Sequence, residues 1–296
     1  MTYEEIWEAI ERAVKQSGSM RDYVKSVINM VYINEIAEAD DLYPLFWLRK
    51  MDDTLATKAA ATITGITAAN PPVVTATAHG LVAADLVSIY SVSGMTEVNN
   101  RVFRVTDVTA NTFELQTPEG TDVDGSGYTA YSSGGSAVHR GLTLATSGID
   151  VESILQAGFH GYKPMKRITP EELEETTKWW DLNTSRPERW LHKKLYSAAG
   201  VETNQMWFFP AADAAYDLRY WARTRLARLS VEADTPLLPL QFHDTIIAGA
   251  ITRLIESQVQ VENAVIWPGL YRQQLDNLRT YNRKFYETDQ GIGYLV

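Results

Sequence analysis

The sequence of 296 residues contains no cysteine. This excludes a disulfide framework, a thiolate metal site and a cysteine nucleophile. No apolar run approaches the roughly 18 residues of a membrane-spanning helix, and the acidic start MTYEEIWEAIE is unlike the basic start of a signal peptide. With 45% hydrophobic residues, the chain has enough apolar side chains to bury a core. We therefore expect a soluble protein with no membrane partner, made in a cytoplasm or built into a particle.

Positive charge is also in short supply. The chain has 27 Lys and Arg against 37 Asp and Glu, which gives a formal net charge of −10. Phosphate backbones repel an acidic chain, so specific binding to free duplex DNA is not expected. Residues 1–57 hold 6 basic and 11 acidic side chains, residues 58–138 hold 3 and 7, and residues 139–296 hold 18 and 19. The last segment leaves room for a local basic face.

Residues 58–138 differ in composition from the rest of the chain. They contain none of the eight tryptophans, and only 10 of these 81 residues are charged. β-Branched runs separated by Gly, Pro and Asn predict short strands. The predicted strands are Ala61–Thr67, Val73–Thr77, Leu86–Ser91, Arg101–Thr109 and Thr112–Gln116. We expect an inserted all-β module, a small barrel or sandwich, within a host domain of residues 1–57 and 139–296.

The host pattern is mainly helical. Thr2 followed by Glu5 predicts a capping box for a helix over Tyr3–Gln16, and apolar spacing predicts helices over Met20–Ala37 and Leu42–Met51. Thr169 and Pro170 start a short helix that reaches Trp180. Two long helices, over 239–260 and 262–287, are predicted near the C-terminus.

The sequence also predicts three strands in the host. The patterns of Met206–Pro210 and Tyr216–Arg225 predict the two strands of a hairpin, and a further strand is predicted around Glu188–Lys193. The fold class is therefore α+β: a helical bundle with a β-hairpin or small sheet, plus the inserted all-β barrel or sandwich.

No catalytic motif is present, so the sequence does not predict an enzyme, a cofactor or a metal site. Asp122–Gly127 resembles the opening of a calcium loop, but Ser133 stands where the closing Glu is required, so a tight turn is favoured. The aromatic runs Trp179-Trp180 and 207–209 could stack on a sugar or base, although packing between sheet and helices is favoured. The histidines are dispersed and form no ligand pair: His79, His139, His160, His192 and His243.

The insert carries a specific resemblance. The stretches Ala69–Leu81, Val92–Asn99 and Val105–Leu115 resemble a small β-module of tailed-bacteriophage structural proteins. That module is likened to the first catalytic-cysteine half-domain (FCCH) of ubiquitin-activating enzymes. The resemblance implies a virion protein and no ubiquitin chemistry, for which the chain has no cysteine.

The host resembles the head-to-tail adaptor, or connector, family of these phages. The family's hairpin pattern is matched by Pro210, Asp213 and Tyr216, its helix start by Leu238 and Pro239, and its helical rhythm by Ala264, Trp267 and Tyr271. This resemblance implies a homo-oligomeric ring at the junction of capsid and tail. We expect the ring to be a dodecamer. The ring would bind the portal and a downstream tail or stopper protein. It would also line the channel through which DNA passes during genome ejection without being bound specifically.

The sequence is also compatible with two other functions. One is a tail-tube, baseplate or fibre-associated protein that uses the same module, although such proteins generally lack the C-terminal helical pair. The other is a carbohydrate-binding decoration protein with Tyr128 and Tyr131 in its site. The apolar tip formed by Ile292, Tyr294, Leu295 and Val296 has no obvious core to enter, and we expect it to dock on the portal.

Overall fold

The computed structural model describes residues 1–14, 20–40, 45–144, 151–176, 184–197 and 200–289. The chain forms two compact units. The helical unit comprises Met1–Arg49 and Arg225–Val296, and the sheet unit comprises Lys50–Thr224. The α+β class is confirmed. None of the helices in these ranges is long and apolar enough to cross a membrane.

The helical unit buries one apolar cluster. Its helices are α1 (Tyr3–Ala13), α2 (Arg21–Met30), which continues as a π-helical turn (Val31–Ile36), α4 (His243–Glu256) and α5 (Trp267–Asp289). The buried faces include Ile6 and Ile10 of α1, Ile28 of α2 and Ile251 of α4. The predicted capping box is confirmed, because Thr2 and Glu5 exchange side-chain and backbone hydrogen bonds.

The helix predicted over Leu42–Met51 is wrong. Within the described part of this segment, a 3₁₀ turn at Phe46–Leu48 leads directly into strand β1 (Arg49–Asp52). The backbone of β1 pairs with a strand of the sheet unit, so it is not available for helical hydrogen bonds. The ring of Phe46 stacks on Phe285 at 4.1 Å, which uses its apolar surface without a helix.

An ion-pair network joins three elements of the helical unit. Arg253 of α4 donates from Nε and Nη2 to the two oxygens of Glu35 in the π-helical turn, at 2.7 and 2.9 Å. The hydroxyl of Tyr271 in α5 donates to the same carboxylate at 2.9 Å. Burial and the adjacent Glu35 carboxylate raise the pKa of Tyr271. Such a shared acceptor fixes the relative register of the three elements.

Gly249 allows α4 to approach its neighbours closely. A Cβ at this position would lie 2.6 Å from Val31 Cγ1 and 2.7 Å from Tyr271 Cε2. We expect Gly249→Ala to destabilise the protein by about 1–2 kcal/mol, because overpacking outweighs the gain in helix propensity. Gly269 of α5 is the matched control, since no neighbouring atom lies within 4 Å of its Cβ position. Gly269→Ala should be neutral or stabilise by up to about 1 kcal/mol in urea denaturation; equal effects of the two substitutions would contradict the packing argument.

The sheet unit contains two sheets. Besides β1, the strands are β2 (Ala61–Thr62), β3 (Gly65–Ile66), β4 (Val73–Thr75), β5 (Asp85–Ser93), β6 (Arg101–Thr106), β7 (Thr112–Gln116), β8 (Ser133–Thr143), β9 (Val151–Phe159), β10 (Lys166–Arg167), β11 (Arg189–Tyr196), β12 (Glu202–Phe209) and β13 (Leu218–Thr224). The smaller sheet has the order β1-β13-β9, and the larger has the order β10-β11-β12-β8-β5-β6-β7-β4-β3, with β2 paired to β8. Helix α3 (Pro170–Thr176) begins after Thr169, which caps it together with Glu172 as predicted.

The predicted strands of the β-module are confirmed as β2–β7. A cluster of buried side chains lies wholly within residues 58–138 and includes Val74, Ile89, Phe103, Phe113 and Leu115. The sheet nevertheless continues beyond the module, because β8 pairs with β5 on one edge and with β12 on the other. The module therefore has its own core and shares a sheet with host strands, and its boundaries at 58 and 138 stay a prediction.

The expected hairpin between the strands at 206–210 and 216–225 is wrong. The first strand, β12, already has β11 on one edge and β8 on the other. No edge is left for the next strand, so β13 pairs antiparallel with β9 in the smaller sheet. A second cluster of buried side chains, including Trp190, Phe208 and Tyr220, is drawn from strands of both sheets.

Candidate interaction site

The solvent-facing side of the smaller sheet presents polar and aromatic groups. Along β13, Leu218, Tyr220 and Ala222 are buried, whereas Arg219 is exposed and Trp221 retains 36% of its accessible surface. This alternation follows from the two-residue period of a strand and confirms the predicted pattern. Trp221 lies opposite Gln156 of β9, so these groups share one face.

The turn after β9 brings an imidazole to this face. Gly161 has φ +78°, a conformation that side chains with a Cβ rarely adopt. The chain then returns beside β9, where Pro164 forms a bridge with Gly158. His160 at the start of the turn accepts a hydrogen bond at Nδ1 from Nη2 of Arg219, at 3.3 Å. Since a guanidinium only donates, this contact fixes Nδ1 of His160 as an acceptor.

A guanidinium–aromatic stack lies beside the turn. The ring of Tyr162 is 49% exposed, and the guanidinium of Arg186 lies 4.2 Å from its centroid. Tyr162 also meets the ring of Tyr216 edge to face at 6.2 Å, and Tyr216 in turn contacts Phe159 at 5.4 Å. The cation is thus held over an exposed ring that two inner rings support.

The sequence-predicted motif Pro210, Asp213 and Tyr216 lies in the connection between β12 and β13. The Tyr216 hydroxyl donates to Oδ1 of Asp213 at 2.8 Å, and this hydrogen bond raises the pKa of Tyr216. Its backbone N–H donates to Thr57 Oγ1 at 2.9 Å, and the backbone N–H of Thr57 donates to the Tyr216 carbonyl at 3.0 Å. The motif therefore fixes the Tyr216 ring on which the Tyr162 turn rests.

A cavity of about 250 Å³ is lined by His160, Tyr162, Arg219 and Trp221, among others. We call these four side chains, together with Arg186 over the Tyr162 ring, the arginine groove. Within the described residues, neither Arg186 nor Arg219 lies within ion-pair distance of a carboxylate. Two unneutralised guanidinium groups beside aromatic rings suit a carboxylate-bearing partner, because Arg can bind a carboxylate through two parallel hydrogen bonds.

The other predicted site residues lie elsewhere. Leu238 is buried in the helical unit, and Pro239 is the residue directly before the 3₁₀ turn (Leu240–Phe242) that precedes α4. Tyr128 and Tyr131 pack against the module core, and the Tyr131 hydroxyl donates to the carbonyls of Ile63 and Gly134. The tail residues Ile292, Tyr294, Leu295 and Val296, and the pair Trp179-Trp180, lie outside the described residues.

The remaining predicted aromatics and histidines do not converge on one site. Trp207, Phe208 and Phe209 are buried in the sheet unit. In the described ranges no group of three or more His, Asp or Glu is placed to hold a metal ion. His139 is fully buried with its Nε2 3.4 Å from Asp85 Oδ1, and His79 packs edge-on against Phe113. Asp124 Oδ1 accepts hydrogen bonds from both the backbone and the hydroxyl of Ser126, as in a tight turn.

Comparison with known proteins bears on the module. The family model of the ubiquitin-activating enzyme E1 FCCH domain matches residues 69–140. This is about a quarter of the chain, so the match describes the inserted module and not the host. A search of the curated proteins found no match to the chain. The chain is thus similar to the FCCH family over its β-module, as the sequence predicted.

Sequence reasoning did not find the arginine groove. Its members come from a turn after β9, a segment before β11 and one face of β13, and they are separated by up to about 60 positions. The sequence analysis named His160 only as one of five dispersed histidines, and the adaptor motif with Tyr216 pointed toward this part of the fold without naming the groove. A charge balance of 18 to 19 over residues 139–296 left room for a basic face without saying which residues form it.

Proposed function

We propose that the protein is a structural protein of a tailed-bacteriophage virion, a head-to-tail adaptor whose copies form a ring between portal and tail. The observation that carries this proposal is the match of residues 69–140 to the FCCH family, because a module of that kind recurs in phage structural proteins. A chain without cysteine gives the module no thiol for ubiquitin transfer.

The helical unit supports the adaptor role over other virion roles. The adaptor resemblance names a Leu-Pro start before two long C-terminal helices, and Leu238 and Pro239 stand directly before the 3₁₀ turn that leads into α4. α4 and α5 pack together and against the N-terminal helices through one buried cluster. A net charge of −10 suits a wall past which DNA moves, because the wall repels the phosphate backbone instead of gripping it.

The experiment is co-purification with the portal protein encoded in the same genome. We expect the two proteins to form one large complex in mass photometry, with a ring of this protein on the portal. The contact between neighbouring copies in a ring is heterologous. A ring that closes therefore has one fixed number of subunits and does not give a series of oligomers of different sizes. Failure to bind the portal under any condition, with the protein found instead in tail tube, baseplate or fibres, would overturn the adaptor assignment.

A further inference from the structure

We propose that the arginine groove receives the acidic outer face of α1 from a second copy of this chain. The proposal rests on the adaptor function, since a closed ring needs two different surfaces that fit each other. It names both surfaces of one subunit-to-subunit contact. The groove belongs to the sheet unit of one copy, and the acidic helix belongs to the helical unit of the next.

The groove side is an unneutralised cationic surface on a rigid base. Arg219 is held by the imidazole of His160 at 3.3 Å, and Arg186 lies 4.2 Å over the ring of Tyr162. Both guanidinium groups are without an ion pair among the described residues, although the chain as a whole has ten more acidic than basic side chains. Exposed aromatic surface on Tyr162 and Trp221 adds apolar area beside the two charges. Aromatic side chains and arginine are among the residue types most enriched in protein–protein interfaces.

The helix side carries a matching row of carboxylates. Tyr3, Ile6, Trp7 and Ile10 bury one face of α1, which fixes the opposite face toward solvent. Outside the buried face, Glu4 and Glu8 are exposed and Glu11 is half-buried, and the three are spaced four and three residues apart over about 10 Å of helix. The exposed Arg12, whose Nε donates to the Glu8 carbonyl, is the one cation beside them on α1. Like the two arginines, these three glutamates have no ion-pair partner among the described residues.

A carboxylate row on a protein helix fits the groove better than a phosphate backbone does. Two arginines offer few phosphate contacts, and the net charge of −10 opposes any approach of DNA. A second copy brings its acids on a helix whose buried side fixes which residues face outward. The contact also repeats from copy to copy, because every subunit carries one groove and one acidic helix.

The test is a charge exchange on the full chain. One variant carries Arg186→Glu and Arg219→Glu, and the other carries Glu4→Lys, Glu8→Lys and Glu11→Lys; Glu5 is kept because it belongs to the capping box. Association is measured by sedimentation velocity and mass photometry, with and without the portal protein. Each variant alone should associate at least about tenfold more weakly than the wild type. In each of them the groove of one copy and the α1 face of the next carry charges of the same sign and repel each other.

An equimolar mixture of the two variants should restore association to within about threefold of the wild type, with both present in equal numbers. In the mixture every groove meets a helix of opposite charge. Arg101→Glu is the control, since Arg101 is an exposed arginine on β6 outside the groove and should leave association unchanged.

Wild-type-like association of either variant, or no recovery in the mixture, overturns the proposed contact. A ring that forms on the portal despite both reversals would overturn the contact and leave the adaptor function standing. A wild type that neither self-associates nor binds the portal would overturn both. Circular dichroism melts of the variants check that the substitutions leave the fold intact.

Discussion

Replacing Arg140 by alanine is expected to destabilise the sheet unit by about 3–5 kcal/mol. Arg140 is a fully buried residue of β8, the strand that pairs with both β5 and β12. Its Nε donates to Ser88 Oγ at 3.0 Å and its Nη2 donates to the Tyr90 hydroxyl at 2.5 Å. Alanine would leave both hydroxyls without these donors and would open a cavity of guanidinium size next to Phe209, over whose ring the Arg140 guanidinium lies.

The measurement is the free energy of unfolding from urea denaturation. Arg140→Met should cost less than alanine, because the thioether side chain fills part of the volume. Arg101→Ala serves as the control and should cost less than about 1 kcal/mol, since that arginine is exposed on β6. If Arg140→Ala lowers the free energy of unfolding by no more than the control does, the buried guanidinium does not stabilise the sheet where β8 joins β5 and β12.

The sequence predicted those elements whose signals are local. β-Branched runs bounded by turn residues located β4–β7 to within about three residues, because alternation and turn chemistry act over a few positions. Thr2 and Thr169 were predicted as helix caps for the same reason, since each cap bonds to a residue three positions ahead.

Pairing between strands was predicted poorly, because it depends on distant residues. The eight residues between β12 and β13 contain turn chemistry, and nothing in them reveals that β11 and β8 occupy both edges of β12. Strand β8 itself was missed: it contains the pair Gly134-Gly135, which resembles a turn, and a buried Arg140 where an apolar residue is expected. Both features depend on tertiary partners 42 or more positions away in sequence.

The arginine groove escaped prediction for a similar reason. Each of its residues, taken alone, is an ordinary surface arginine, histidine or aromatic. The groove exists because Gly161 turns the chain back beside β9 and because the smaller sheet places Arg219 next to that turn. What sets these arginines apart is their position, Arg219 in the lining of the cavity and Arg186 over the exposed Tyr162 ring, and that observation needs coordinates.

Asn29 also makes contacts that its sequence neighbourhood does not reveal. This buried residue of α2 accepts a hydrogen bond at Oδ1 from the backbone N–H of Leu229 at 2.8 Å, and its Nδ2 donates to the Leu229 carbonyl at 3.0 Å. The side-chain amide thereby satisfies both backbone groups of a residue 200 positions away. It links the two chain segments of the helical unit, one of which precedes the sheet unit in sequence and the other of which follows it.

We expect Asn29→Ala to lower the free energy of unfolding of the helical unit by about 2–4 kcal/mol, because the N–H and C=O of the buried Leu229 lose their partners together. Asn29→Asp should fall between the wild type and alanine, since it keeps the acceptor for the Leu229 N–H and loses the donor to the carbonyl. Asn277, exposed on α5, is the matched control, and Asn277→Ala should be neutral or slightly stabilising. Chemical denaturation followed by circular dichroism at the helical band measures all three variants. Equal stability of Asn29→Ala and Asn277→Ala would show that the Leu229 backbone finds other partners and that α2 does not depend on this amide.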